Sequence, residues 1–220
     1  MALAATRVFG RQGYRRTRVA EVATESGMSA GAIYLYVQSK EALFHLVFAH
    51  GFDLFAEGLP SLPLPDPAPT ETVELIRAGL RRRGGTPLVR DALTIEVVDD
   101  VRAELTGIIV ERYDVIERLW PLLAVIERSA PDLPELADFY YRRGRRRHVG
   151  QLQRYLELRA SAGLLRPMLD AAVTARLVTE AITWFAWHRH QDPDAGHFDD
   201  ERARLAVIDF VCGALIETGR

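Results

Sequence analysis

The chain is poor in the residues that hold small secreted or metal-bound domains together. It has one cysteine, Cys212, in 220 residues, which excludes an intrachain disulfide and suits a reducing compartment. Nothing cationic adjoins Cys212 in sequence, so it reads as a small packed residue of an apolar helix rather than a redox sensor. No apolar run reaches the roughly 18 residues that span a bilayer. No basic stretch followed by an apolar core opens the chain, so no signal peptide is expected, and the location expected is cytoplasmic with no membrane partner. Also missing are a Gly-rich phosphate loop, a Gly-x-Ser-x-Gly elbow and the Cys/His spacing of a zinc site. An enzyme is therefore not expected, nor a cofactor, nor a bound metal. The one metal-like group is His188, His190 and His197 with Asp192 and Asp194. His188 and His190 are two apart on an expected helix and point roughly 200° apart, so they cannot chelate one ion there. Lysine is nearly absent too, for among 28 Lys and Arg only Lys40 is lysine.

What remains is the composition of a soluble globular protein, 48% apolar and 26% charged, long enough for one or two domains with a sizeable core. The net charge of −2 is unevenly spread. Residues 1–45 carry six basic against three acidic side chains, and the rest carries 22 against 27. A small basic head on a larger acidic body is the distribution of a protein that brings one end to nucleic acid.

The stretch from Thr17 to Lys40 reads as two short helices and a tight turn. Thr17 is expected to cap the first by accepting from its orphan N–H groups. Val19, Val22 and Ala23 fall on one face. Ser26-Gly27 ends the helix, with Gly27 suited to the left-handed terminus. Met28 anchors the turn, Ser29 caps the second helix, and Ile33, Tyr36 and Val37 are expected to point inward. Helix, glycine turn and helix at this length form a helix-turn-helix, whose second helix enters the DNA major groove.

With Phe9, Gly13 and Tyr14 before it, and Gly27-Met28-Ser29, Gly31, Ile33-Tyr34, Tyr36 and Ser39-Lys40-Glu41-Ala42-Leu43 within and after it, this stretch resembles the DNA-binding domain of the tetracycline-repressor (TetR) family. The match is ungapped and covers about a fifth of the chain. The resemblance implies an all-α fold with two domains. Residues 1–50 would form a three-helix head with its helix-turn-helix at about 18–37, and residues 51–220 an effector-binding and dimerisation body. It implies a homodimeric regulator, most simply a repressor, released from a palindromic operator by a small molecule. Family members usually carry several more residues, often basic, before helix one. Either that arm is missing or the start lies upstream, and an arm contact to the minor groove is not part of the expectation.

The expected DNA-contact set is Thr17, Arg18, Ser29, Ala30, Gly31, Ala32, Tyr34, Tyr36 and Lys40. Arg18, with Arg15 and Arg16, would neutralise phosphates, which positions a protein without reading sequence. Thr17 and Tyr34 would offer hydroxyls to the backbone, as the resemblance implies. Lys40 would meet a phosphate at the start of helix four, just after its cap Ser39. Ala30, Ala32 and Leu35 make a small, apolar reading surface that can touch a thymine methyl but cannot make bidentate hydrogen bonds to guanine or adenine. Specificity is then expected from shape and phosphate geometry more than from base hydrogen bonds. The same poverty keeps an alternative open, a helical ligand-binding or adaptor protein with weak or lost DNA binding.

Helix one should run from at or before Ala2 to near Gln12, stopped by Gly13, with Ala5, Val8 and Phe9 inward. Helix four should run from about Lys40 to Glu57, with Leu43, Leu46, Val47, His50, Gly51 and Leu54 inward, ahead of a loop studded with Pro60, Pro63, Pro65, Pro67 and Pro69. Helical patterns follow at about 70–83, 87–96, 99–128, 133–163, 170–190 and 199–218, with Pro121 expected to kink or break the third. Arg81-Arg82-Arg83 suits a helix C-terminus, and Arg142, Arg143 and Arg145-Arg146-Arg147 read as a solvated face with ion pairs to Glu135 and Asp138. The last two patterns are apolar around more than one face, which calls for a second partner. Leu177, Ile182, Phe185, Leu205, Ile208, Val211 and Leu215 are the expected dimer interface. Trp120, Phe139, Tyr140, Trp184 and His188 are candidates for an effector cavity.

Overall fold

A computed structural model describes residues 1–55, 58 and 61–217. Glu57 as a helix end, Pro60 of the proline series and Thr218 as the last helix end lie outside the described residues. In chain order the helices are α1 (Ala2–Arg16), α2 (Val19–Ser26), α3 (Ala30–Ile33), α4 (Lys40–Gly51), α5 (Glu71–Arg83), α6 (Pro87–Ala92), α7 (Val101–Ser129), α8 (Pro134–Ala137), α9 (Arg146–Ser161), α10 (Ala171–Ala186) and α11 (Asp200–Leu215). A π-helical segment, Asp138–Arg145, joins α8 to α9. The fold is all-α, and among the described residues the one strand-like feature is a bridge between Val37 and Leu64. No described helix is long and apolar enough to cross a membrane.

The chain packs as two compact units, residues 1–84 with 121–143, and residues 85–120 with 144–220. In the first, α1 packs on α2 and α4, and α4 on α5. The seam is aromatic. Phe44 meets Phe9 edge-on at 5.1 Å, Tyr14 at 5.0 Å and Phe48 at 5.2 Å, and Phe48 stacks on Phe52. Phe44, Phe48 and Phe52 recur every four residues, so they line one side of α4. Leu43, Leu46 and Val47 are buried as expected, but His50 and Leu54 are exposed, because the Phe row takes the inward direction instead. α5 comes close to this row at Gly79, where a Cβ would run into the Phe52 ring.

Gly13 breaks α1 as expected, with φ 80° and ψ 176°. The corresponding expectation for Thr17 fails. The cap of α2 is Arg18, whose backbone N–H donates to the Glu21 carboxylate at 2.8 Å. The Thr17 hydroxyl instead donates back to the Gly13 carbonyl at 2.8 Å and is buried. With Glu three residues after Arg18, the carboxylate satisfies the cap donor and the threonine is free to close the glycine break. Pro121 does not interrupt α7, which runs unbroken from Val101 to Ser129; buried Ile116, Leu119, Leu122 and Val125 hold that stretch helical by packing. The helix expected at 87–96 stops at Ala92, and the one expected at 170–190 stops at Ala186, with His188–Gln191 continuing as a 3₁₀ turn.

In the second unit α9 packs on α10 and on α6, and α10 on α11. Its buried polar anchor is Arg159, on the inner face of α9 with Leu152, Tyr155 and Leu156. Its guanidinium donates to both oxygens of Glu104 at 2.8 and 2.9 Å and to the carbonyls of Ala92 at 2.7 Å and Ile95 at 3.1 Å. Arg189 does similar work, donating to the carbonyls of Phe185 and Phe198 and pairing with Asp200. Cys212 is buried, its sulfur 3.5 Å from the Thr106 hydroxyl, which bears out a packed role.

His148 gives this unit a pH dependence. Burial, then the nearby charges of Arg112 and Arg147, push its pKa down from 6.5 to about 3. The folded state therefore binds this proton more weakly than the unfolded chain, and stability present above pH 6.5 is lost progressively as the solution is acidified toward the folded value. His148→Gln should flatten the acid limb of unfolding free energy against pH and leave that free energy at pH 8 within about 0.5 kcal/mol of wild type. An unchanged acid limb would remove His148 from the cause.

Candidate nucleic-acid interface

The turn between α2 and α3 is built as the sequence dictates. Gly27 sits at φ 70°, its N–H bonded to the Thr24 carbonyl at 3.1 Å and that of Met28 to Ala23 at 2.9 Å, which closes α2. Ser29 caps α3 by accepting from the Ala32 N–H at 3.1 Å. Ile33 and Val37 are fully buried and pin the second helix to the head. α3 itself is short. After Ile33 the chain turns with i+3 bonds, Leu35 to Ala32 and Tyr36 to Ile33.

This places Ser29, Ala30, Gly31, Tyr34, Leu35 and Tyr36 on one exposed surface, with Ala32 half-buried. Leu35 is 70% exposed and Tyr34 49%. Tyr36, expected inward, is exposed as well, because the helix tightens before reaching it. A Cβ added at Gly31 would meet nothing within 4 Å. Arg15, Arg16 and Arg18 are exposed beside this surface in sequence, at the α1–α2 junction.

Two expected contacts are placed differently. Thr17 is buried with its hydroxyl committed to Gly13, so its side chain is withdrawn from the contact set. The Lys40 ammonium donates to the carbonyls of Thr17 at 3.3 Å and Arg15 at 3.5 Å and lies 4.6 Å from the centre of the Tyr14 ring. It thus fastens the arginine-bearing loop, two of its three N–H donors being used there. Beneath it the Tyr14 hydroxyl donates to Glu41 at 2.5 Å. Burial foremost, and then that carboxylate, raise the phenol's pKa, while the same bond lowers that of Glu41. Tyr14 is therefore the fixed donor of the pair. Arg7 and Arg11, the other basic residues of the head, both pair with Glu25.

The first unit also holds a cleft of about 890 Å³ between the start of α5 and the α8–π segment. It is lined by Thr70, Val73, Glu74, Arg77, Pro134, Glu135, Ala137, Asp138, Tyr141, Arg142 and Arg143. Asp138 pairs with Arg143 at 2.9 Å and Arg142 at 3.7 Å, as the expected ion pairs of this helix face. The Arg77 guanidinium lies over the Phe139 ring. None of the five aromatic and histidine candidates lines this cleft, although Phe139 backs it through Arg77. Phe139 and Tyr140 belong to the first unit, whereas Trp120, Trp184 and His188 belong to the second. There Trp120 stacks on His190, Trp184 on Phe185 edge-on, and His188 on Trp187.

The expected interface residues separate into three groups. Ile182, Val211 and Leu215 are buried within their own unit and are corrected to core, because they face the α10–α11 seam and its neighbours. Phe185 and Ile208 are half-buried. Leu177 and Leu205 are exposed, and the outward set extends to Val173 and Phe210, the last 69% exposed. Val173 and Leu177 are one turn apart on α10. Leu205, Ala206, Asp209, Phe210, Gly213 and Ala214 make the matching outward stripe of α11. Sequence alone could have made this division, since 178, 182 and 207, 211, 215 recur at helical spacing on the opposite sides.

Comparison with known proteins converges on one family. The family described as "Bacterial regulatory proteins, tetR family" matches residues 3–47, which are the helices just described. The family described as "AefR-like transcriptional repressor, C-terminal domain" matches residues 116–208. An uncharacterised HTH-type transcriptional regulator of Bacillus subtilis, YfiR, is 42% identical over 59 residues, 27% of this chain and 27% of the YfiR chain. Similar solved structures include the ketosteroid transcriptional regulator KstR2 of Mycobacterium tuberculosis, 17% identical over 99% of this chain and 94% of that one, with a TM-score of 0.60. A transcriptional regulator from Saccharomonospora viridis in complex with choline is 17% identical over 99% and 96%, with a TM-score of 0.57. AibR in complex with isovaleryl coenzyme A and operator DNA is 19% identical over 95% and 94%, with a TM-score of 0.53. Identities this low speak for the fold alone, but with its helix-turn-helix and its C-terminal helices each matched to regulators of one kind, this chain belongs to the TetR family of transcriptional regulators.

Proposed function

We propose that the chain is a homodimeric repressor that binds a palindromic operator and is released by a small-molecule effector. Residues 1–50 act as the DNA head and residues 51–220 as the effector-binding and dimerisation body. The observation that carries the reading is the exposed Ser29–Tyr36 surface, held by buried Ile33 and Val37 and continuous in sequence with three exposed arginines. Arg15, Arg16 and Arg18 take phosphates, Tyr34 and Tyr36 offer hydroxyls to the backbone, and Ala30, Gly31, Ala32 and Leu35 lie against the groove floor. Lys40 contributes by fixing the arginine loop and through its remaining donor. One such head is too small for selective binding, and two related by a twofold axis read two half-sites.

Dimerisation through Val173, Leu177, Leu205 and Phe210 is supported by their exposure on helices whose opposite sides are already packed. An apolar face of this kind is what an isologous contact covers. The polar cleft between α5 and the π segment is the candidate effector entry, since a π turn inside a helix recurs at functional sites. Neighbours of the same fold in complex with choline, or with isovaleryl coenzyme A and operator DNA, support a small-molecule effector without narrowing its class. The test is a Leu177→Glu/Phe210→Glu chain. Sizing should give a monomer where wild type gives a dimer, and affinity for a palindromic operator should fall by at least about a hundredfold, because two heads no longer bind as one. A dimer that persists would move the interface elsewhere.

A further inference from the structure

The proline-rich connection after α4 does not simply pass the head. Residues 62–66 lie along the chain that leaves α3. The Leu64 N–H donates to the Tyr36 carbonyl at 2.8 Å and the Gln38 N–H donates to the Leu64 carbonyl at 3.0 Å, forming the Val37–Leu64 bridge. Two residues on, the Asp66 carboxylate accepts from the Ser39 hydroxyl, the cap of α4. Asp66 is close enough to contribute, after burial and Glu41, to holding the Tyr14 phenol protonated. Its carboxylate therefore stands in the group formed by Tyr14, Ser39, Lys40 and Glu41, at the edge of the surface that ends with Tyr36. At the other end of this connection the Ala68 N–H donates to Glu71 at 2.8 Å, in the first turn of α5.

From this juxtaposition we propose that residues 62–66 form an intrachain strap on the DNA-reading turn, and that Asp66 sets DNA affinity by holding a negative charge beside the groups that meet phosphate. The inference rests on the DNA-binding reading above. Lys40 is the only cation in this group, and two carboxylates, Glu41 and Asp66, flank it. A phosphate approaching Tyr36 and Lys40 is repelled by Asp66 within a Debye length, an interaction that salt screens. Glu41 is already committed to Tyr14, whereas the Asp66 carboxylate is held by the Ser39 hydroxyl, two residues beyond the backbone bonds of Leu64. It is the member of the group whose charge can be removed without touching the core.

The experiment measures binding of the full chain to a fluorescein-labelled mixed-sequence duplex, by anisotropy, at low and at high salt. Asp66→Asn keeps the shape and a hydrogen-bond acceptor for Ser39, and Asp66→Glu keeps the charge. Asp66→Asn is expected to bind about tenfold tighter than wild type at low salt in a dimer carrying two copies, the gain shrinking to about twofold at high salt. Asp66→Glu should stay within about twofold of wild type. Affinity of Asp66→Asn equal to or below wild type at low salt overturns the inference while leaving DNA binding intact, and makes the strap a brace that the turn needs. A gain that does not diminish with salt also overturns it, since the effect would then be structural. Absence of salt-dependent binding by wild type and Asp66→Asn alike removes the DNA-binding reading, and the inference with it.

Discussion

Arg159→Ala is expected to cost the second unit about 4 kcal/mol, the scale for removing one partner of a buried, hydrogen-bonded ion pair. The side chain is 2% exposed and makes four hydrogen bonds, two to Glu104 and one each to the carbonyls of Ala92 and Ile95. Truncation leaves a carboxylate that is 15% exposed without its counter-ion and strands the buried carbonyl of Ala92. It also opens a cavity beside Tyr155, whose ring lies under the guanidinium. Each consequence is unfavourable, and they share a cause, so they do not simply add. Arg159→Met with Glu104→Gln separates them. Replacing both partners removes the uncompensated charge, and this double variant should recover half or more of the loss. Chemical denaturation followed by far-UV circular dichroism measures both. A loss below about 1 kcal/mol for Arg159→Ala would make the site no more than a surface pair.

Gly13→Ala is the second large effect, expected in the first unit at about 3 kcal/mol or more. Its φ of 80° with ψ of 176° is a region that side chains make essentially inaccessible. Space is lacking as well, since a Cβ at Gly13 would press into the carbonyl of Arg128 near the end of α7. Two neighbouring contacts go with it. Thr17 donates to the Gly13 carbonyl, and the Arg15 N–H donates to Asp132 at 3.1 Å. Gly27→Ala is the control. Gly27 also has positive φ, at 70°, but a Cβ there meets nothing within 4 Å. Only the left-handed conformation is penalised, at about 1 kcal/mol. Gly13→Ala should be clearly the worse of the two in thermal melts. Equal effects would mean that the approach of Arg128 carries no weight.

These two sites show which features local sequence makes legible. The helix-turn-helix was readable because each of its parts is a short-range device: a left-handed glycine after α2, a serine cap three residues before its donor, and Ile33 and Val37 one turn apart. Arg159 was readable in principle. Positions 152, 155, 156 and 159 share one helix face, and an arginine among Leu, Tyr and Leu there announces a buried ion pair. Its partners, 55 and more residues away, were not. The same distance hid why Gly13 is glycine, for Arg128 lies far along the chain. The Thr17 cap was misread because Glu21 competed for the same donor, and local propensity cannot say which acceptor wins. Helix four is read correctly at Leu43, Leu46 and Val47 but not at His50 and Leu54, because its apolar residues occupy every direction and only contact with Phe9 and α5 selects the Phe44, Phe48 and Phe52 row. The α10 and α11 patterns are apolar on more than one side; their inward set at 178, 182, 207, 211 and 215 is legible at helical spacing, whereas which of the other apolar residues stay uncovered shows only once the two helices pack. Nothing local reveals that residues 62–66 return to the end of α3, since backbone pairing of an irregular proline-rich loop has no periodic signal.

The measurement that bears most directly on the central claim is fluorescence anisotropy of the purified chain with duplex DNA from upstream of its own gene, against a scrambled duplex, across a range of salt. A dimer presenting two sets of exposed arginines should prefer its own duplex and should lose affinity steeply as salt rises. An Arg15→Ala/Arg16→Ala/Arg18→Ala chain should bind both duplexes more weakly and with a shallower slope, because fewer counterions are released. Binding that is absent or insensitive to salt, in a protein that sizes as a folded dimer, would contradict the account and leave a helical ligand-binding protein whose head no longer engages DNA.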